Sequence, residues 1–399
     1  TGTNAGATRP FVAALRRALV GGPAVLPLPD SPAAADRVRD AVRPELGVPA
    51  DAAVVLMTSS STGQPKSVLL PARALLHSAR ATHDRLGGPG GWLLAMPAHY
   101  VAGIQVLVRS IDAGVPVTTV DRSGGFTAER FAAAAGAMPG GHRRYTALVP
   151  TQLDRLLRAG GAAVDALASL DAVLVGAAAT PASLAERAGR AGVRIIRTYG
   201  SSETCGGCVY DGSPLAGVLV DTAGPVGRIR IRGPLLDLGY LRDPAATAAA
   251  FAAGWFGTDD VGQVLPDGRL DVLGRHDDMV VTGGVNVAPA LVERAIAALP
   301  GVAAVCVVGI VDREWGRAVA AAIVAERPER GSGSPRPPTA AEIDSAVREA
   351  AGRAAVPKRV RFVDRLPMLA SGKVDHRAVR RDLHGDPATS GWRKPPAGY

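Results

Sequence analysis

The chain has 399 residues, a formal net charge of +9 and 47% hydrophobic residues. This length suits two domains, and no apolar run reaches the roughly 18 residues that span a bilayer. The basic residues are scattered and aromatic residues make up only 4%, which argues against a nucleic-acid partner. Three cysteines and a polar start without a signal pattern predict a cytoplasmic enzyme with no membrane insertion.

Strands and helices alternate through the first two hundred residues, which is typical of βαβ units around a largely parallel sheet. Apolar runs predict strands at 25–28, 53–57, 92–96, 115–120, 145–149, 172–175 and 194–197. Helical spacing predicts helices at 10–20, 33–43, 72–86, 103–113, 127–136, 151–158 and 181–191. Thr151 is the expected cap of its helix.

The pattern changes after residue 210. A strand at 227–232 and a hairpin turning at Asp267-Gly268 predict a small β subdomain. Beyond it we expect helices at 289–299 and 339–353 and strands at 302–308, 318–324 and 360–363. The sequence therefore predicts an α/β fold with a large N-terminal domain over 1–276, a small mobile α+β C-terminal domain over 277–382, and a loose tail over 383–399.

The stretch Thr58–Lys66 holds five hydroxyl side chains, a glycine and a lysine. Such a loop offers O–H and N–H donors and one ammonium to a polyphosphate, although similar runs also occur as plain surface loops. It is not a Walker A motif, because Gln64 and Pro65 separate Gly63 from Lys66. The chain is rich in arginine and has only four lysines, at 66, 358, 373 and 394, so a retained lysine indicates a need for a compact ammonium.

Further segments carry chemistry-bearing residues in a fixed order. They are Met96–Gly103, Val175–Ala179, Thr198–Thr204, Trp255–Asp260, Gly274–Val280, Gly283–Val287 and Pro367–Asp375. Together with the hydroxyl loop they resemble the motifs of the adenylate-forming superfamily, the acyl-CoA synthetases and their relatives, over about residues 53–380. Two positions depart from the family pattern: Ser60 replaces a usual glycine, and Ser67 follows Lys66.

The resemblance implies a nucleotide site. ATP, Mg²⁺ and the cosubstrate coenzyme A are the implied ligands, with Glu203 and Thr58 at the metal, Tyr199 stacked on adenine, and Asp260 and Arg275 at the ribose. The remaining implied nucleotide contacts are Ser59, Ser60, Ser61, Thr62, Gly63, Lys66, Gly176, Ala177, Ala178, Thr198, Gly200, Ser201 and Ser202.

The resemblance also implies the machinery for a small carboxylic acid. Lys373, Glu203 and His99 are the implied catalytic residues, and Asp277 is the implied hinge between the domains. His99, Gln105, Gly200 and Thr204 would line the acid pocket, and Gly283 and Gly284 would face CoA. The pair Cys205 and Cys208 is interpreted as pocket wall, because no second cysteine pair or histidine cluster accompanies it.

The shortness of the chain before residue 58, with the segments 95–105 and 202–212, looks like the compact actinobacterial 2-succinylbenzoate–CoA ligases of menaquinone biosynthesis. The alternatives are another aryl- or acyl-CoA ligase, a stand-alone adenylation enzyme, and a nucleotide-binding protein without catalysis. A dicarboxylic substrate would need a cation for its second carboxylate, and the sequence does not say which arginine supplies it. Nothing in the sequence indicates the oligomeric state.

Overall fold

The computed structural model describes residues 5–58, 66–326, 336–368 and 374–384. The chain forms two compact units. Unit 1 comprises 1–221, 230–258 and 264–270, and unit 2 comprises 222–229, 259–263 and 271–399. The domain boundary predicted between residues 276 and 277 stays a prediction.

The described residues contain helices of 7 to 15 residues. Their bounds are α1 Ala5–Ala18, α2 Pro32–Val42, α3 Ala72–Leu86, α4 Val101–Ala113, α5 Ala128–Gly136, α6 Pro150–Ala159, α7 Gly161–Ala168, α8 Ala182–Arg190, α9 Pro244–Ala250, α10 Pro289–Ala297, α11 Ala340–Ala351 and α12 His376–His384. No helix among the described residues is both long and apolar enough to cross a membrane.

Strands of the first 222 residues are β1 Ala52–Met57, β2 Ser67–Pro71, β3 Gly90–Leu94, β4 Thr118–Thr119, β5 Arg143–Leu148, β6 Ala172–Val175, β7 Ile195–Ser201, β8 Gly206–Tyr210, β9 Ser213–Pro214 and β10 Leu219–Thr222. The later strands are β11 Gly227–Arg232, β12 Phe251–Ala252, β13 Trp255–Val264, β14 Leu270–Arg275, β15 Val280–Thr282, β16 Val285–Val287, β17 Val302–Asp312, β18 Gly316–Ala325 and β19 Arg359–Phe362.

A seven-stranded sheet in the order β4-β3-β5-β6-β7-β8-β9 is the centre of unit 1. The strands from β4 to β7 pair in parallel, and β8 and β9 are antiparallel additions at one edge. Leu93, Val173 and Val175 face helices α5 to α8 in a buried apolar cluster that includes Phe131 and Leu153. The predicted α/β fold with a largely parallel sheet is confirmed.

A second sheet in unit 1 is the antiparallel hairpin of β1 and β2, in which Met57 pairs with Ser67. The strand β1 is buried along its length because five of its six residues are apolar and inaccessible. The hairpin carries the hydroxyl loop at its tip, so the loop joins two neighbouring strands rather than a strand and a helix.

Unit 2 is built around the long hairpin of β17 and β18, which β19 extends in parallel. Helices α10 and α11 cover one apolar face through Val292, Ile296 and Val347, and α12 covers the other through Val379 and Leu383. A capping box opens α11, since the Thr339 side chain accepts from the Glu342 backbone and the Glu342 side chain accepts from Thr339. The predicted α+β character of this part is confirmed.

Several predicted elements differ from the structure. The strand predicted at 25–28 is wrong, because only Val25 forms a bridge, to Val54. Thr151 does not cap α6, because Pro150 already occupies the first helical turn and Val149 precedes it. The prediction that the chain is loose after Asp382 is wrong for two residues, since α12 continues to His384.

Candidate active site

The base of the hydroxyl loop is closed by hydrogen bonds between its first and last residues. The Thr58 N–H donates to the Lys66 carbonyl at 2.8 Å, and the Lys66 N–H donates to Thr58 Oγ1 at 3.2 Å. These bonds continue the β1–β2 ladder by one step beyond the pair of Met57 and Ser67. Residues Ser59, Ser60, Ser61, Thr62 and Gly63 lie outside the described residues, so their phosphate contacts stay predictions.

The small-residue turn after β6 lies against the start of the tyrosine-glycine motif on β7. A Cβ on Gly176 would stand 2.4 Å from Thr198 Oγ1, so only glycine fits there. Ala177 adopts a left-handed φ of 67°, and it and Ala178 are exposed. The structure therefore brings together two of the segments predicted to contact the nucleotide, and leaves the turn open to a flat ligand.

The motif from Thr198 to Ser201 is part of strand β7, which extends past the predicted end at residue 197. A Cβ on Gly200 would stand 2.1 Å from the Gly206 carbonyl oxygen of β8, which explains the glycine. Thr204 is fully buried; its Oγ1 accepts from the Ser201 N–H at 2.8 Å and donates to the Gly206 carbonyl at 2.8 Å. Thr204 thus shapes the turn between β7 and β8, and its predicted contact with the substrate stays a prediction.

The carboxylate of Glu203 is half-buried just after this strand and accepts a hydrogen bond from the Tyr240 hydroxyl at 3.0 Å. The Lys66 Nζ lies 4.4 Å from the centre of the same tyrosine ring. Glu203 and Lys66, predicted separately as metal and phosphate ligands, therefore share one aromatic neighbour. Mg²⁺ takes one or two carboxylates and completes its shell with phosphate oxygens and water, and a single half-buried carboxylate fits that need.

A second carboxyl group lies beside Glu203. The Asp237 N–H donates to the Glu203 carbonyl at 3.0 Å, and Asp237 Oδ1 accepts from the Gly239 N–H at 3.1 Å. Burial raises the pKa of Asp237 to about 8, and the charge of Glu203 adds to the rise. Among the described residues no hydrogen-bond partner reaches Asp237 Oδ2.

Two of the residues predicted for the acid pocket, His99 and Gln105, lie next to the start of helix α4 and on it. His99 lies just before the helix, and burial lowers its pKa. Gln105 is 1% exposed, and its side-chain oxygen has no hydrogen-bond partner in the described part of the chain. The Gln105 side chain would touch a Cβ on Gly206 at 3.2 Å, so helix α4 packs against the strand that follows the Glu203 turn.

One turn further along α4, Arg109 is a cation that the sequence did not single out. It is 3% exposed, donates to the Tyr210 hydroxyl at 3.2 Å and stacks 4.8 Å from the centre of the Trp92 ring. Burial lowers the pKa of Arg109. Within the described residues no carboxylate lies close enough to form an ion pair with it, and its Nε has no partner.

Cys205 and Cys208, the two cysteines that follow Glu203, are both buried and have free thiols. Burial raises the pKa of both thiols, and that of Cys208 to about 12. No group of three or more metal-binding side chains occurs in the part of the chain that the structure describes. Thiols of high pKa are poor nucleophiles and poor metal ligands, so these residues fit the interpretation as pocket wall.

Unit 2 brings the predicted ribose ligands together. Arg275 Nη1 lies 3.9 Å from Asp260 Oδ1, and its other terminal nitrogen donates to Asp259 at 3.3 Å. Asp277, the predicted hinge, follows in a short 3₁₀ turn and is exposed. The catalytic Lys373 lies outside the described residues, so its role stays a prediction.

The glycine pair of unit 2 packs against a tryptophan. A Cβ on Gly283 would stand 2.6 Å from the Trp315 ring, and Gly284 is exposed beside it. The Lys358 Nζ lies 5.1 Å from the centre of that ring, and Trp315 is 40% exposed. Trp315 and Lys358 were missed as site candidates, although the scarcity of lysine in this chain already marked Lys358.

This fold and these side chains define the class of α/β enzymes that bind a nucleotide. Residues 18–241 match the family model described as AMP-binding enzyme, and residues 291–373 match that of the AMP-binding enzyme C-terminal domain. The chain belongs to the AMP-binding enzyme family. The family resemblance inferred from the motifs is thereby confirmed.

The chain is similar in sequence to a curated ligase and in fold to solved enzyme structures. A probable 2-succinylbenzoate–CoA ligase of Mycobacterium tuberculosis (strain CDC 1551 / Oshkosh) is 42% identical over 95% of this chain and 97% of the relative. The structure of the amide bond synthetase McbA from Marinactinospora thermotolerans matches with a TM-score of 0.74 and 25% identity, over 94% of this chain and 83% of the other. The AMP complex of O-succinylbenzoate coenzyme A synthetase from Bacillus subtilis matches with a TM-score of 0.66 and 25% identity, over 84% and 69%.

Proposed function

We propose that the protein is an AMP-forming acid–thiol ligase that converts 2-succinylbenzoate to 2-succinylbenzoyl-CoA. The observation that carries the nucleotide part is the shared contact of Glu203 and Lys66 with Tyr240, beside the closed base of the hydroxyl loop. The similarity to the mycobacterial ligase over 95% of the chain supports the substrate.

The reaction has two displacements. A carboxylate oxygen of the acid attacks the α-phosphorus of ATP, the bond to the bridging oxygen breaks, and pyrophosphate leaves. The CoA sulfur then attacks the acyl carbon, its proton is lost, the bond to the phosphate oxygen breaks, and AMP leaves. Both partners of the first step are anions, so the protein must supply charge neutralisation and alignment.

The residues of unit 1 suit the first displacement. Lys66 brings positive charge to the hydroxyl loop, Tyr199 and the turn at Gly176 hold the base, and Glu203 with Thr58 would hold Mg²⁺. When bound, Mg²⁺ supplies charge neutralisation on the phosphate oxygens. From unit 2 we assign Lys373 to the reacting carboxylate and Asp260 and Arg275 to the ribose.

Arg109 supports a dicarboxylic substrate. A buried guanidinium costs several kcal/mol unless an anion compensates it, and the hydrogen-bond and cation–π partners of Arg109 among the described residues are a phenol and an indole ring. The carboxylate on the same helix, Asp112, instead pairs with Arg80, and its other oxygen lies 3.3 Å from His83 Nδ1. The second carboxylate of 2-succinylbenzoate would give Arg109 its missing partner, and the unpartnered amide oxygen of Gln105 marks the same helix face.

The exposed indole of Trp315 with the Lys358 ammonium above it supports a CoA contact on unit 2. A half-exposed tryptophan gives a flat face for an aromatic or pantetheine group, and a neighbouring ammonium suits the phosphates of CoA. Asp277 is our candidate for the hinge that lets unit 2 serve both displacements.

Pyrophosphate release against a panel of acids tests the proposal. We expect release with 2-succinylbenzoate in the presence of ATP and Mg²⁺, and formation of a thioester once CoA is added. Benzoates and fatty acids serve as comparison substrates, and an amine replaces CoA in a parallel reaction. Greater turnover of another acid would make the protein a different acyl-CoA ligase, amide formation in place of thioester would make it an amide synthetase, and nucleotide binding without pyrophosphate release would exclude catalysis.

A further inference from the structure

The segment from Asp237 to Leu241 is bonded to two separate parts of the candidate site. On one side it extends the ladder of β2: the Leu69 N–H donates to the Gly239 carbonyl at 3.0 Å, and the Leu241 N–H donates to the Ser67 carbonyl at 2.8 Å. On the other side the Asp237 N–H holds the Glu203 carbonyl at 3.0 Å. The segment therefore fixes the strand that leaves the hydroxyl loop relative to the turn that carries Glu203.

Tyr240 makes the same connection through its side chain. Its hydroxyl donates to Glu203 Oε1 at 3.0 Å, and its ring lies under the Lys66 ammonium at 4.4 Å. One aromatic side chain thus joins a metal-binding carboxylate to a phosphate-binding cation, which lie 137 residues apart in the sequence by their numbers.

The surroundings hold this tyrosine in one place. It is 7% exposed, and its backbone N–H donates to Thr247 Oγ1 at 2.9 Å. The preceding Gly239 has a left-handed φ of 96°, and a Cβ there would stand 2.3 Å from the Thr247 side chain. Phe251 meets the ring edge-on at 6.3 Å. A ring fixed by backbone and packing can orient its neighbours.

We propose that Tyr240 is a positioning residue that prepares Glu203 and Lys66 for the metal–nucleotide complex. This inference rests on the proposed function of the site. The hydrogen bond to Oε1 orients the carboxylate and leaves Oε2 for the metal, as partners behind a metal ligand generally do. The ring restricts the Lys66 side chain through a cation–π contact, so that less conformational entropy is lost when phosphate binds.

Two substitutions separate the two contacts. Tyr240→Phe removes the hydroxyl and keeps the ring, whereas Tyr240→Leu removes both. The control is Tyr145→Phe, because that buried hydroxyl donates to the Gly88 carbonyl at 2.9 Å and touches neither Glu203 nor Lys66. Electron paramagnetic resonance measures the binding of Mn²⁺ in the presence of a non-hydrolysable ATP analogue, so the affinity for the metal is obtained without any turnover.

For Tyr240→Phe we expect Mn²⁺ binding to be about tenfold weaker and the affinity of the metal-free analogue to be unchanged. The unfolding temperature should fall no further than it does in the Tyr145→Phe control. For Tyr240→Leu the affinity of the metal-free analogue should also fall, by roughly threefold. Unchanged Mn²⁺ binding in Tyr240→Phe would overturn the inference, as would a loss that Tyr145→Phe reproduces.

A double-mutant cycle isolates the pathway through Glu203. In a Glu203→Gln background, Tyr240→Phe should weaken Mn²⁺ binding by less than twofold, because the residue it positions has already lost its charge. Fully additive losses would mean that Tyr240 acts elsewhere. The measurement needs no acid substrate, so failure of 2-succinylbenzoate as a substrate would contradict the proposed function and leave this result intact.

Discussion

The two units of the chain carry charge in different ways. In unit 1 the charged groups at the candidate site are held by uncharged partners: Glu203 by the Tyr240 phenol, and Arg109 by the Tyr210 phenol and the Trp92 ring. In unit 2 the charged groups predicted to bind the ribose pair with groups of opposite charge at the surface, as Arg275 does with Asp259 and Asp260. Neutral partners orient a charge without cancelling it, whereas an opposite charge cancels it.

This difference suggests a division of labour. A site that must neutralise phosphates and carboxylates needs oriented charges that are not yet compensated. Unit 1 has such charges at Glu203, in the turn between β7 and β8, and at Arg109 on helix α4. Exposed ion pairs contribute little stability. In unit 2 an arginine can therefore exchange its aspartate partner for a ligand oxygen at little cost in folding free energy. We infer that unit 1 is preorganised for ATP and the acid, and that unit 2 has surface charges whose partners change between the two half-reactions.

Among the substitutions that test this comparison of the two units, we expect Lys373→Ala to cause the largest loss of activity. We predict that pyrophosphate release falls roughly 10²- to 10³-fold, because an ammonium stabilising the transition state is lost. Conversion of synthetic acyl-adenylate to thioester should be largely kept, since that step does not need the same cation. Single-turnover assays separate the two steps, and Lys394→Ala is the control. Equal loss in both half-reactions would contradict the assignment.

Arg109→Met should have the next largest effect. Removing one partner of a buried charge pair costs about 2–5 kcal/mol, so kcat/KM for 2-succinylbenzoate should fall at least thirtyfold. For 4-oxo-4-phenylbutanoate, which lacks one carboxyl group, the change should be small, and the stability of the protein should not fall, because an uncompensated charge has been removed.

Arg80→Met is the matched control for this experiment, because Arg80 is exposed and pairs with Asp112 beside the same helix. Steady-state kinetics with both acids give the discrimination directly. If both acids lose activity in parallel, Arg109 serves the fold and does not recognise the second carboxylate.

Lys358→Ala tests the surface of unit 2. We expect the KM for CoA to rise about five- to tenfold, with pyrophosphate release in the absence of CoA unchanged, because an exposed ammonium contributes modestly to phosphate binding. Lys358→Arg should restore most of the affinity, since a guanidinium also stacks on Trp315. A KM for CoA that does not respond to either substitution would remove Lys358 from the site.

The regular part of the fold was predictable from the sequence because it depends on local pattern. Helix α3 and strand β6 have the predicted bounds, since apolar periodicity and a following glycine define them. Strand β7 was predicted too short, because its last residues form a polar glycine-containing motif that local propensity does not favour in a strand.

The contacts that build the site could not be read from the sequence in the same way. The Tyr240–Glu203 hydrogen bond joins residues 37 positions apart, and the Arg109–Tyr210 hydrogen bond joins residues 101 positions apart. Helix and strand periodicity does not predict contacts at such separations. Motif spacing pointed to Glu203 and Lys66 separately, but their common neighbour Tyr240 emerged only from the fold. Lys358 was within reach of sequence reasoning, because it is one of only four lysines.

The smallest expected effect concerns an exposed charge pair in unit 2. Arg336 and the Thr339 backbone and hydroxyl donate to Glu342 and lower its pKa to about 2. Because the folded pKa is depressed, the stabilisation is complete above the ordinary value of 4.5 and is lost as the pH falls through 2. Glu342→Gln should therefore lower the unfolding midpoint by about 1–2 °C at pH 7, and this difference should shrink as the pH falls below 4.5. Glu349→Gln on the same helix changes the charge equally and serves as the control. A difference that stays constant down to pH 3 would mean that ionisation of Glu342 is not its cause.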